Sequence, residues 1–161
     1  MTLSSERAAD EQAERILTGY GTPLLRLGVM MLGNQMDAED AVSETLIRYL
    51  TKAPAFQDEA HEKAWLYAVM ANLCKDMLRR RKRFAPLEDA ELSAYVEDPR
   101  DRDVLDALSR LPEKYRAVLY LHYVEGYKSH EIGAMLGIHA GTVRKRLQYG
   151  RRQLKLEYEQ E

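Results

Sequence analysis

Between Arg144 and Lys155 the chain carries six basic residues and no acidic one. Val143, Leu147, Gly150 and Leu154 recur at steps of four, three and four, which on a helix gathers them into one buried stripe. A helix that buries this stripe turns Arg144, Lys145, Gln148, Arg151 and Arg152 outward. Arg and Lys donate to guanine edges, Gln pairs with an adenine edge, and all of them can contact phosphates. Like charge along one helix face repels itself, and a bound polyanion removes that repulsion. The stretch just upstream, Tyr127 to Ala140, reads as a short helix followed by a Gly-containing turn, with Ile132, Leu136 and Ile138 as an inner seam. Together the two segments have the layout of a helix-turn-helix, whose second helix enters a DNA groove.

A second basic run, Lys75 to Arg83, holds six bases against one acid, Asp76. Trapping an unstacked strand requires a polar base-reading group beside a basic track. Asn72 is such a group, and Lys75, Arg79, Arg80 and Arg83 supply the track. The run Arg79 to Arg83 also suits a solvated helix end, because cations are favoured at a helix C-terminus. Acids concentrate elsewhere: Asp37 to Glu44 carries four and no base, and residues 84–100 carry five against one base. Asp37, Glu39 and Asp40 suit the first turn of a helix, with Asp37 as its cap. If Val42, Leu46 and Tyr49 face a core, Asp40, Ser43 and Glu44 stay outside and available to a basic partner. The formal net charge of -2 thus hides segregated positive and negative surfaces.

These motifs carry a family resemblance. Gly141-Thr-Val-Arg-Lys-Arg-Leu-Gln-Tyr-Gly-Arg-Arg-Gln-Leu154 closely resembles the recognition helix of region four in sigma-70-type factors, and Leu111-Pro-Glu-Lys-Tyr-Arg-Ala-Val-Leu119 resembles that region's entry helix. Asp37-Ala-Glu-Asp-Ala-Val-Ser-Glu-Thr-Leu46 resembles the acidic docking helix of sigma region two. The run from Lys63 to Arg81 resembles the segment that opens and reads the minus-ten promoter element. The absence of further sigma domains makes the chain similar to the compact extracytoplasmic-function (ECF) group. The resemblance implies that Thr142, Arg144, Lys145, Arg146, Gln148, Arg151 and Arg152 contact the minus-thirty-five element. It places Asn72, Lys75, Arg79, Arg80 and Arg83 on the minus-ten element, and Asp37, Glu39, Asp40, Ser43 and Glu44 on core RNA polymerase. The implied partners are the polymerase β′ clamp helices and β flap, promoter DNA and an anti-sigma factor. Five positions depart from the family pattern: Ser43 stands for Gln, Lys128 for the Ser that caps the first helix of the motif, Gly133 and Gly150 for Ala, and Lys145 for Ser. Ser129 is expected to take over the capping.

The elements that must position these residues are helices. Helical periodicity dominates and no convincing alternating run marks a strand, so the expected fold is all-α, two small helical domains joined by an acidic linker. Helices are predicted over residues 6–18, 23–32, 37–51 and 61–83, then over 101–109, 112–125, 129–136 and 140–157. Gly19, Gly21, Gly33, Pro54, Gly126 and Gly137 punctuate them, and Pro23 suits a helix's first turn. The expected organisation is 1–84 as the region-two unit, 85–100 as the linker, with Pro86 and Pro99, and 101–161 as the region-four unit.

Composition narrows the remaining classes. At 161 residues and 45% hydrophobic content the chain can bury a core. Lacking an apolar run of roughly 20 residues and an apolar leader, it is expected to be cytoplasmic with no membrane insertion. A lone Cys74 excludes an internal disulfide, and its expected role is that of a small buried hydrophobe. Trp65, among Leu66, Val69 and Leu73, is expected to pack in a core. No nucleophile, metal-ligand spacing or phosphate-binding loop is present, so neither catalysis nor a cofactor or metal is expected. The alternatives are a repressor or activator binding duplex DNA alone, and a helical adaptor binding only proteins; the acidic segment at 37–44 argues against the first.

Overall fold

The computed structural model describes residues 3–81 and 106–160, with side chains to residue 155. The described residues form six helices and no strand: α1 (Leu3–Leu32), α2 (Gln35–Lys52), α3 (Glu59–Arg80), α4 (Glu113–Leu119), α5 (Ser129–Leu136) and α6 (Ala140–Gln160). A π-helical turn, Tyr120–Val124, continues α4, and residues 106–109 form a helical turn before it. The expected linker at 85–100, and Arg83, lie outside the described residues.

Helices α1, α2 and α3 pack as a three-helix bundle, and α4, α5 and α6 form the second unit. The two units touch. Helix α4 packs on α1 and α5 on α3, so one continuous apolar cluster runs from Ile16 through Leu27, Leu66 and Met70 to Leu119, Ile132 and Leu147.

The sequence-based helix boundaries need correction at several places, among them the end of α3, which stops at Arg80 and not at residue 83. The predicted break at Gly19 to Pro23 is absent, and α1 runs unbroken through both glycines and Pro23. Proline removes one helical hydrogen bond and strains the preceding turn. Here that turn begins at exposed Gly19, while Ile16, Leu24 and Leu27 are buried on either side of it. Tertiary packing along the apolar stripe overrides a local breaker. Second, Asn34, not Asp37, caps α2: its Oδ1 accepts from the Asp37 N–H at 2.9 Å. Third, the predicted helix over 112–125 widens into the π turn, where the Glu125 N–H donates to the Tyr120 carbonyl at 3.2 Å. The wider turn puts Tyr120 and Glu125 on one side, and the buried Tyr120 hydroxyl donates to Glu125 Oε1 at 2.6 Å. Gly33, at φ 80°, ends α1 as expected.

Asp58 caps α3, which therefore starts two residues before the predicted position, with its side chain accepting from the His61 N–H at 2.8 Å. Within the bundle Glu62 is buried, and its carboxylate accepts from Arg15 at 3.0 and 3.2 Å, from Tyr49 at 2.7 Å and from Tyr20 at 3.2 Å. The Arg15 guanidinium, followed by the two hydroxyls, holds this carboxyl below the ordinary glutamate range.

Candidate nucleic-acid interface

The α5–turn–α6 unit is closed by glycines. Gly137 takes the left-handed conformation, φ 68°, that ends α5, and a Cβ on Gly133 would sit 2.6 Å from the Ile138 carbonyl oxygen. The turn therefore approaches α5 more closely than the family's usual Ala would allow without a backbone shift. The start of α5 differs from expectation. Lys128 occupies the cap position without a side-chain bond, Ser129 is already the first helical residue, and Glu131 Oε1 accepts from the Lys128 N–H at 3.0 Å. That contact is half of a capping box, made by the carboxylate alone.

Val143 and Leu147 are buried on α6, and Leu154 is partly buried behind them. Gly150 is buried against α4, where a Cβ would lie 2.4 Å from Leu119 Cδ1. Glycine there sets how closely the two helices pack. The opposite face exposes Arg144, Lys145, Gln148, Arg151 and Arg152, while Thr142 and Arg146 are half-buried. Arg151 donates to the Tyr123 hydroxyl at 3.2 Å. None of the five α6 arginines and lysines from Arg144 to Arg152 lies within ion-pair distance of a carboxylate among the described residues.

On α3, Leu66, Tyr67, Met70, Leu73 and Cys74 form the buried edge. Burial pushes the Cys74 thiol up to about 12, so it packs as a small hydrophobe and is not a reactive thiolate. Asn72, Asp76, Arg79 and Arg80 are exposed, and Lys75 is half-buried. Asn72, Asp76 and Arg79 share a face by helical spacing, and Arg79 pairs with Asp76 at 2.7 Å. Lys75 turns toward the other unit: its Nζ lies 3.4 Å from where a Cβ on Gly137 would sit. Its ammonium titrates below the ordinary lysine range because it is partly buried and because Arg146 and Arg79 lie near it. Lys75, assigned from sequence to the minus-ten element, thus lies against the turn that leads into the helix assigned to the minus-thirty-five element. Trp65 is half-buried in an aromatic group, 5.8 Å from Phe56 and 6.1 Å from Tyr49 between ring centroids.

On α2 the acids are not equivalent. Asp37 is held: it receives a bond from Asn34 Nδ2 at 3.0 Å and pairs with Arg81, whose guanidinium also donates to the Leu32 carbonyl. It joins α2 to the ends of α1 and α3. Glu39, Asp40, Ser43 and Glu44 are exposed, Glu39 bonded by Gln35 at 2.8 Å and Glu44 facing Arg48 at 3.8 Å. Sequence reasoning missed the apolar residues among them. Met36, Ile47 and Leu50 are 77%, 53% and 40% exposed. With Asp40 and Ser43 they follow a four-three-four-three spacing, the seam by which one helix lies along another. The signal was legible as a second stripe beside Val42, Leu46 and Tyr49, but only burial shows which stripe is already covered.

Among the described residues no group of three His, Cys, Asp or Glu side chains could hold a metal ion, and no helix is long and apolar enough to cross a membrane. Two helical units, one of them a helix-turn-helix whose basic second helix meets no carboxylate among the described residues, define the class as all-helical DNA-binding proteins. Known proteins narrow that class. Residues 16–84 match the family model for sigma-70 region 2, and residues 101–154 match that for sigma-70 region 4. The ECF RNA polymerase sigma factor SigE of Mycolicibacterium smegmatis is 35% identical over 94% of this chain, which spans 63% of that relative's length. SigW of Bacillus subtilis, also an ECF sigma factor, is 34% identical over 84% of this chain and 83% of its own. Two solved structures share the fold at a TM-score of 0.65: CnrH in complex with the cytosolic domain of CnrY, 21% identical over 98% of this chain and 96% of that one, and the sigma factor RpoE in complex with the anti-sigma factor NepR from Bartonella quintana, 22% identical over 88% and 92%. The chain belongs to the ECF group of the sigma-70 family.

Proposed function

We propose that this chain is a promoter-specificity subunit: it binds core RNA polymerase, brings it to promoter DNA and directs transcription initiation there. The observation that carries the reading is the pairing, on one chain, of two helical faces of opposite character, each exposed among the described residues. One is the acidic and apolar seam of α2, and the other is the basic face of α6. A protein acting on DNA alone has no use for the first, and a protein-only adaptor has none for the second.

In this reading Met36, Asp40, Ser43, Ile47 and Leu50 lie along the β′ clamp helices, with Glu39 and Glu44 at the rim. Apolar contact supplies the affinity, and the acids supply orientation and encounter rate. Asp37 positions α2 and acts through it. Residues 1–84 form the region-two unit, 85–100 the linker and 101–161 the region-four unit, which also docks on the β flap. Arg144, Lys145, Gln148, Arg151 and Arg152, with Thr142 and Arg146 at the edge, read the minus-thirty-five element as duplex. Asn72 receives a flipped base of the minus-ten element, and Lys75, Arg79, Arg80 and Arg83 track the displaced strand. Duplex opening is then driven by binding energy and requires no catalytic group on this chain. The complex of the RpoE neighbour with the anti-sigma factor NepR supports an anti-sigma partner, and the setting is cytoplasmic.

The test is reconstituted transcription with purified core polymerase and a promoter library. Specific starts that depend on this chain are expected, and Ile47→Glu should abolish co-purification with core polymerase while leaving binding to duplex DNA unchanged. The absence of both specific starts and co-purification for the natural chain overturns the reading.

A further inference from the structure

Arg151, exposed on α6, is held by a residue of another element: its Nη1 donates to the Tyr123 hydroxyl at 3.2 Å. Tyr123 belongs to the π turn that continues α4, and it is 48% exposed. In a regular helix a residue four after Leu119 would lie over that leucine, which meets α6 at Gly150. Bonds that run from i to i+5, as from Tyr120 to Glu125, make four residues fall short of a full turn. Tyr123 therefore stands to the side of the Leu119 contact and reaches the residue that follows Gly150. Its ring is braced in turn. His122 meets it edge-on, 4.8 Å between centroids at 83°, and the His122 Nδ1 donates to the Tyr127 carbonyl, which can only accept, at 2.8 Å. A run of contacts thus leads from the loop before α5, through the π turn, to one arginine of α6.

We propose that Tyr123 is a positioning residue: it holds the Arg151 guanidinium for one backbone phosphate of duplex DNA, so that Arg151 grips the strand and does not read a base. The inference rests on the promoter-reading function proposed above and deepens it. Arg151 directly follows buried Gly150, so at about 100° per residue it stands on the flank of α6. Lys145 and Arg152 occupy the side opposite the buried stripe. A helix lying in the major groove turns its outer line to the base edges and its flanks to the sugar–phosphate strands. A guanidinium carries five N–H donors in a planar fork; one goes to Tyr123, and the others remain for phosphate oxygens. An unrestrained arginine loses rotamer freedom when it binds, and here the phenol imposes part of that order before DNA arrives. A neutral hydroxyl suits this task better than a carboxylate, because it fixes the guanidinium without cancelling the charge that the phosphate attracts.

The test uses the full chain and a short DNA duplex of any sequence, because a phosphate contact carries no base information. Arg151→Ala should weaken binding about tenfold and lower the slope of log affinity against log salt concentration by about 0.9, the share of one phosphate. Tyr123→Phe keeps the ring and removes only the hydroxyl. It should weaken binding about fivefold when Arg151 is present and leave affinity unchanged in the Arg151→Ala background. A merely structural role would cost the same in both backgrounds, so equal losses overturn the proposal, as does a Tyr123→Phe chain that binds like the natural one. Duplexes with a neutral methylphosphonate at successive linkages give a second readout: one linkage should weaken binding of the natural chain and make no difference to Arg151→Ala. An Arg151→Ala loss that follows base sequence, with no such linkage, makes Arg151 a base reader and overturns the phosphate assignment. Coupling of the two residues on duplex DNA in a chain that supports no specific transcription leaves this inference standing and removes the promoter reading.

Discussion

The basic faces of α3 and α6 look alike in the sequence and differ in the structure. On α6 the arginines and lysines project from a helix whose other side is fixed by Val143, Leu147 and the close approach at Gly150, and they meet no described carboxylate. On α3 Arg79 is paired with Asp76, and Lys75 is half-buried against the other unit. A face that reads intact duplex can be complete in the free protein, since B-form DNA arrives already shaped. A face that holds an unstacked strand has nothing to hold until the duplex opens, and here it is partly occupied by the protein itself. The difference between the faces is one of readiness, and it is set by what packs next to each helix.

The largest effect that would break this comparison comes from behind α6. Leu147→Ala is expected to cost about 2–5 kcal/mol of stability in the second unit, because a fully packed leucine is replaced by a cavity. Denaturant unfolding should show that loss, together with weaker binding to a duplex minus-thirty-five probe although no DNA-facing residue has changed. Unchanged duplex binding by a folded Leu147→Ala protein would mean that α6 is positioned by something other than this stripe.

Next in size is a pair of substitutions on the two faces. Arg144→Ala should cost about 1–3 kcal/mol in binding to the duplex probe if it reads a base edge. Asn72→Ala should leave that binding intact and lower the yield of open complexes, measured by reactivity of unpaired bases in the presence of polymerase. Equal losses from both variants in both measurements would erase the distinction between the faces.

The smallest expected effect is on acid stability. Glu62 is held below the ordinary carboxylate range by Arg15 and two tyrosines, so its contribution is fully present above pH of about 4.5 and is lost as pH falls through its depressed value. Burial instead raises the Glu113 carboxyl in the second unit, so its protonation on acidification favours the folded form. Acid should therefore loosen the first unit before the second. Glu62→Gln should lower stability at pH 7 by about 1–3 kcal/mol and flatten the acid limb of a stability–pH curve. An unaltered acid limb would show that other carboxylates control it.

The residues themselves determined a good deal. The spacing of Val143, Leu147, Gly150 and Leu154 alone fixes which side of α6 is buried, because helical periodicity is a local property of backbone geometry. The signatures at 37–46, 63–81 and 141–154 were enough to place the chain in its family. Local reasoning failed where a distant contact outweighed a local preference. Gly19, Gly21 and Pro23 disfavour a helix, yet α1 continues because residues on both sides of them are buried in the same core. The cap at Asn34 and the pairing of Asp37 with Arg81 likewise depend on which helix ends come together. The contact from Arg116 to the Met30 carbonyl spans 86 positions and involves a backbone atom that every residue possesses, so no pattern of side chains encodes it. Sequence alone thus determined the faces of the helices, because a face repeats with the helix turn. Only tertiary structure decided which faces are covered, because covering joins residues whose separation along the chain carries no periodic signal.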